Sequence, residues 1–279
     1  MKNICTIIMA FAIGLTMFGC GKTDSGVNID IASPANLQEN MKNNAYFDTS
    51  DLSRVGTYKQ LLWNGCDYLD TDQIDEDVFY EYDKYENEKG DVFCFDETGR
   101  MVRFLSHELI EEGGSLEDGF IPPYTVMTSE MREASLAAVK SCIPESDGLA
   151  VKSIEAMQTY YTNAESVSDP ADQVTASVTV NADGAVLHFS AEYGNVAEKA
   201  IDYDYFEKQL DAYLTQKQAE NPQITDYECD PYFAELNGRI YGIYTITFEE
   251  TTDQYDDVFG KYLTSNFSEI VGFSHEKKN

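Results

Sequence analysis

Basic residues are scarce. Nineteen Lys and Arg face fifty Asp and Glu, for a formal charge of −31 and a pI near 4.1. Binding a polyanion requires clustered cations to meet its phosphates, so nucleic acid is excluded as a partner. Histidine is nearly absent too. His107, His188 and His275 lie far apart, and the only start of a zinc-hydrolase pattern, His107-Glu108, has Glu111 where a second His is needed. No Gly-x-Ser-x-Gly elbow occurs. Gly113-Gly114 lacks the Lys-Ser/Thr that a phosphate loop carries. No cysteine pair is spaced as CxxC, which leaves thiol-redox and zinc-ribbon chemistry without support. Catalytic residues, cofactor and metal are therefore all expected to be none. Fifty acids offer too many pairs for a glycosidase-type couple to be chosen from sequence.

A long apolar run is also missing, with one informative exception. Lys2 gives a positive start, Ile4 to Phe18 is almost wholly apolar, and Gly19-Cys20 closes the stretch. The run is shorter than the roughly 18–20 residues that span a bilayer, and its layout is that of a secretory signal. Met17-Phe18-Gly19-Cys20 resembles the lipobox of bacterial lipoproteins, with Met17 and Phe18 standing where that family has Leu and a small residue. The resemblance implies cleavage before Cys20, a lipid on its thiol, and a protein held on the extracytoplasmic face of the cell membrane. After loss of Cys5 with the leader, Cys66, Cys94, Cys142 and Cys229 remain. An exported chain admits disulfides among these four, in three pairings that sequence does not rank, and buried free thiols are the other reading.

What is present belongs to a folded protein: 43% hydrophobic residues, with 19 Tyr and 15 Phe. The acidic surface favours solubility and steers cations or a basic protein partner. Residues 20–51, rich in Gly, Ser, Asn and Asp, read as a mostly flexible tether. The acidic string Asp67, Asp70, Asp72, Asp75, Glu76, Asp77 reads as a solvated loop. Calcium is the alternative, although the Gly and terminal Glu of an EF-hand are missing.

The remaining chain is expected to form three units. In 52–125, Tyr58–Trp63 suggests a helical turn or two. Val78–Tyr85, Val92–Phe95 and Met101–Leu105 then form a meander, reversed at Gly90 and Gly99. In 126–200, Thr128 or Ser129 caps a helix running to Ile143 before Pro144. Val151–Tyr161 is extended, and Val174–Tyr193 is a hairpin turning at Asn181–Gly184, with His188 on its solvated face. In 201–279, Asp204 and Glu207 cap a helix to about Gln218. A hairpin turns at Asn237-Gly238, and Tyr255, Val258, Phe259, Tyr262 and Leu263 trace a final helical stripe. The tail from Lys277 is expected to fray. The fold class is α+β, with antiparallel sheets, helices on one face, and tandem helix-plus-hairpin units.

The segments Ser129–Ile143 with Val174–Tyr193, and Asp204–Gln218 with Tyr232–Phe248, resemble PepSY-like and YPEB-like modules of exported bacterial proteins. That resemblance implies interaction or peptidase regulation rather than catalysis. The expected role is a non-catalytic, membrane-tethered binding or regulatory module. Carbohydrate binding or hydrolysis is the alternative, because aromatic faces such as those of Trp63 and the many tyrosines stack on sugars.

Overall fold

A computed structural model describes residues 34, 36–63, 77–116, 126–143, 148–256 and 258–277. The leader, Cys20, Cys66 and the acidic string from Asp67 to Glu76 lie outside the described residues. Strands dominate. The first sheet has eight antiparallel strands, ordered β1-β2-β3-β4-β8-β7-β6-β5. These are β1 (Ser53–Trp63), β2 (Val78–Glu86), β3 (Val92–Phe95), β4 (Met101–Leu105), β5 (Ala150–Glu155), β6 (Gln158–Thr162), β7 (Val174–Val180) and β8 (Val186–Tyr193). The second sheet, ordered β11-β10-β9, contains β9 (Ile224–Leu236), β10 (Arg239–Asp256) and β11 (Lys261–Glu276). Among the described residues, three α-helices accompany them: α1 (His107–Glu111), α2 (Ser129–Cys142) and α3 (Tyr203–Glu220). The α+β expectation thus holds in its coarse form, antiparallel sheets with few helices. None of the helices among the described residues is long and apolar enough to cross a membrane.

The expected boundary near residue 125 does not divide the first sheet. Arg103, Phe104 and Leu105 of β4 pair with Ser190, Phe189 and His188 of β8. One core therefore runs from Leu37 to Ala191, with Phe93, Phe95, Phe104 and Phe189 at its centre. Phe47 meets Phe104 edge-on at 5.0 Å. In α2, Met131, Ser135, Ala138, Val139 and Cys142 are buried. Thr128 caps that helix by accepting from Met131 N. A second core joins Phe206, Tyr213 and Leu214 of α3 to Ile240, Tyr244, Ile246 and Phe248 of β10.

Several expectations are corrected. Tyr58–Trp63 is the end of a strand, because β1 pairs with β2 along its length, Tyr58 opposite Tyr82 and Gln60 opposite Tyr80. Cross-strand pairing overrides a short local pattern. The supposed tether is packed from residue 36 onward. Leu37, Met41, Phe47 and Leu52 are buried, Asn40 Nδ2 donates to Cys142 O at 2.8 Å, and Asn44 Nδ2 to Ser141 O at 3.2 Å. The helix end leaves carbonyls without intrahelical partners, and these two asparagines supply donors.

Val151–Tyr161 is not one extended piece but a hairpin, reversed at Ala156 with φ 52°. The cap of α3 is Asp202, which accepts from Tyr205 N, rather than Asp204. His188 is 1% exposed, and its Nε2 lies 3.2 Å from Leu116 O. The segment after α1 covers the face of β8 that period-two alternation assigns to solvent. Lys277 is held, its backbone N–H donating to Gly238 O and its Nζ to Glu235.

The final helix does not form. Tyr255 and Tyr262 face one another across β10 and β11 instead. Residues 255, 258, 259, 262 and 263 match helical spacing only because the chain reverses between them, at 258–260.

Candidate functional site

The β1–β2 hairpin carries a row of tyrosines. Residues i and i+2 of a strand share a face, so Tyr80 and Tyr82 stand side by side, rings 6.1 Å apart and inclined by 24°. Tyr58, opposite Tyr82, adds a third ring at 6.3 Å and 20°. Gln60 lies on the same face and donates from Nε2 to Glu192 Oε1 of β8 at 3.1 Å. Arg103 is buried, anchored by Nη1 to Val102 O and Ala191 O, and its Nη2 lies 3.6 Å from Glu192.

The turn between β3 and β4 supplies the next wall. Asp96 accepts from the backbone N–H of Thr98 and of Arg100, and binds the Arg100 side chain at 2.7 Å. The Arg100 guanidinium then lies 4.3 Å above the Tyr193 ring.

The second sheet closes the far side with Tyr232, Glu235 and Leu236 of β9. Its attachment at this edge is polar. Asn195, just past β8, donates to Glu235 O at 2.6 Å and accepts from Glu235 N at 2.9 Å. The same amide donates to Tyr80 Oη at 3.2 Å. Together these walls enclose a cleft of about 460 Å³, within the roughly 300–1,000 Å³ of ordinary small-molecule sites.

The phenols are tuned by enclosure. Burial raises the Tyr80 pKa, opposed by donation from Asn195 and by a hydrogen bond with Tyr232. Burial likewise pushes Tyr82 far up. Tyr232 keeps 43% of its surface open, yet desolvation at its phenol end raises its pKa as well, and its bond to Tyr80 adds to this. Tyr80 accepts from Asn195, and the bond between the Tyr80 and Tyr232 hydroxyls uses one of their two protons, which leaves the other for something in the cleft.

Among the residues singled out from sequence, few meet here. Cys142 is a buried thiol whose pKa burial raises, and Cys229 is half-buried and raised for the same reason. Neither is poised as a nucleophile, which needs a depressed pKa. Cys94 is buried on β3. His107 lies 3.5 Å from Glu111, one turn along α1. His275 packs its ring against Tyr205 and Phe206. No group of three or more His, Cys, Asp or Glu converges among the described residues. The tyrosines, Asn195, Glu192 and Glu235 carried no sequence signal as a group, since each comes from a different stretch. Comparison with protein-family models, curated proteins and solved structures finds no match.

Proposed function

We propose that this chain is an exported, lipid-anchored binding module that recognises its ligand in the tyrosine-walled cleft and does not catalyse a reaction. The leader Met1–Gly19 is removed, the Cys20 thiol carries the lipid, and the folded part stands on the extracytoplasmic face of the membrane. The observation that carries the binding role is the meeting of Tyr80, Tyr82 and Tyr232 from two sheets around one cleft. Convergent polar groups on an aromatic wall suit recognition. Each sheet with its long helix, α2 or α3, is read as a variant of the tandem helix-plus-hairpin unit, in keeping with the PepSY-like pattern. A basic protein partner suits the −31 charge as a regulatory target.

Metabolic labelling with an alkyne fatty acid tests the anchor. Label is expected on the native chain and lost in Cys20→Ala. An unlabelled chain that keeps its leader and stays in the cytosol would refute it.

The carbohydrate reading gains from one specific observation, the presence of Glu192 and Glu235 on the same tyrosine-lined cleft. Each sits beside a cation, Arg103 or Lys277. That arrangement favours accepting hydrogen bonds over delivering a proton to a glycosidic oxygen.

A further inference from the structure

We infer that the cleft takes an uncharged saccharide. The inference rests on the binding-module reading and names the ligand class of that same site. Three classes compete for an aromatic, acid-rich cleft: anions, cations and neutral polyols. The protein's −31 charge repels anions.

Cations are attracted by tyrosine faces and carboxylates, but four of the five lining acids already sit beside a cation, Glu97 being outside any ion pair among the described residues. Glu81 binds Lys59 at 2.6 Å, Asp96 binds Arg100 at 2.7 Å, and Glu235 binds Lys277 at 2.8 Å. Glu192 has Arg103 at 3.6 Å. At those four acids an entering ammonium group would have to displace an internal cation to gain a full ion pair, which leaves it Glu97 alone among the lining carboxylates. A hydroxyl would not, because an ionised carboxylate offers about four acceptor sites and one ion pair leaves some open.

The donors point the same way. The Tyr80–Tyr232 pair keeps one phenol proton to give beyond the bond between them, while Tyr80 accepts from Asn195. Sugar hydroxyls both donate and accept, so they satisfy carboxylates and the phenol pair together. The half-open ring of Tyr232 supplies an apolar face for the C–H side of a pyranose.

The test is calorimetric titration of the purified full-length protein with neutral trisaccharides (cellotriose, maltotriose, chitotriose, xylotriose, mannotriose), and separately with choline and hexalysine. Saturable binding of a trisaccharide is expected. Tyr232→Ala and Glu192→Gln should each weaken it about tenfold or more, with thermal unfolding measured alongside. Glu192→Gln preserves side-chain shape, so it carries the test if Tyr232→Ala fails to fold. Saccharide binding that survives Glu192→Gln and any folded Tyr232→Ala unchanged would place the site elsewhere and overturn the inference. Binding of choline or hexalysine without any sugar would overturn the saccharide class and leave the cleft as a binding site. Binding of none of these probes at millimolar concentration would overturn the saccharide inference and count against the cleft reading itself.

Discussion

The side-chain amide of Asn195 pairs with the backbone of Glu235 as a neighbouring strand residue would, giving its N–H and taking one in return. One amide thereby ties β9 to the end of β8, and that amide also holds the Tyr80 hydroxyl. Asn195→Ala removes these bonds at an exposed position where water replaces part of them. The expected loss of stability is about 1 kcal/mol by denaturant titration. The larger expected effect is on the cleft: amide exchange at Glu235 should speed up, while exchange in the β3–β4 core stays unchanged. Asn195→Asp keeps the acceptor for Glu235 N but loses both donations, and should fall between the two.

A second contact between the sheets is apolar. The Trp63 indole lies over the backbone of Gly272 in β11, so close that a Cβ there would stand 2.9 Å from Cδ2. Trp63 is 4% exposed and has no free direction to yield. Gly272→Ala should cost about 1–3 kcal/mol as an overpacking change. The fluorescence of this single tryptophan should report the displaced ring.

Local signals were legible where the chain settles its own geometry. Asn237-Gly238 adopts φ of 53° and 75°, the two positive values that a tight hairpin turn requires. Val92–Phe95 and Met101–Leu105 fall where the Gly turns put them. Failures occurred where distant chain decided. His188 is buried because Leu116 covers it, seventy-two residues away. The strap 36–52 looks like a linker until Asn40 and Asn44 are seen bonding the end of α2. The cleft was invisible for the same reason, since Tyr80, Glu192 and Tyr232 meet only after β4 pairs with β8 and Asn195 seizes β9. Single-residue chemistry announces itself in sequence, but a site made by long-range pairing does not.

The hairpin tip offers a check on the lost C-terminal helix. Val258 and Phe259 are 86% and 74% exposed, and Asp256 accepts from both of their backbone N–H groups. Val258→Ser with Phe259→Ser should leave stability within about 0.5 kcal/mol. Gly260, at φ +66°, should cost about 1 kcal/mol or more as Ala, because a side chain is strained in the left-handed region. A helix here would give the opposite result, a gain from Gly260→Ala. By contrast, Phe248→Ala, fully buried and stacked on Phe267, should lose about 3–5 kcal/mol.

Acid should act partly through Asp48. A hydrogen bond from Lys89, followed by one from Ser50, lowers its pKa from 3.8 to about 2. A folded-state pKa below the unfolded one stabilises the protein above pH 3.8, and that contribution disappears as pH falls towards 2. Asp48→Asn should therefore flatten the acid limb of the stability curve within this window and leave the curve's shape near pH 7 unaltered. A carbon-detected carboxyl titration checks the midpoint directly.

Alkali tests the tyrosine wall, with the sign running the other way. Burial raises Tyr80, Tyr82 and Tyr232 above the ordinary value of 10.0. In the unfolded chain these phenols ionise near pH 10, while in the folded protein they remain neutral. Their contribution is thus intact below pH 10 and declines as pH climbs beyond it, because the unfolded state then binds fewer protons. Ultraviolet titration should show a fraction of the tyrosinate signal delayed until unfolding, then released together. Tyr80→Phe removes a phenol whose charge raises both Tyr82 and Tyr232, and Tyr82→Phe removes a neighbour whose charge raises Tyr232. In the double variant the delayed fraction should shrink. Should all nineteen tyrosines instead ionise smoothly about pH 10 while the fold persists, the cleft would have to be open at its phenol ends. The spare phenol proton of the Tyr80–Tyr232 pair would then be satisfied by bulk water rather than waiting for a ligand.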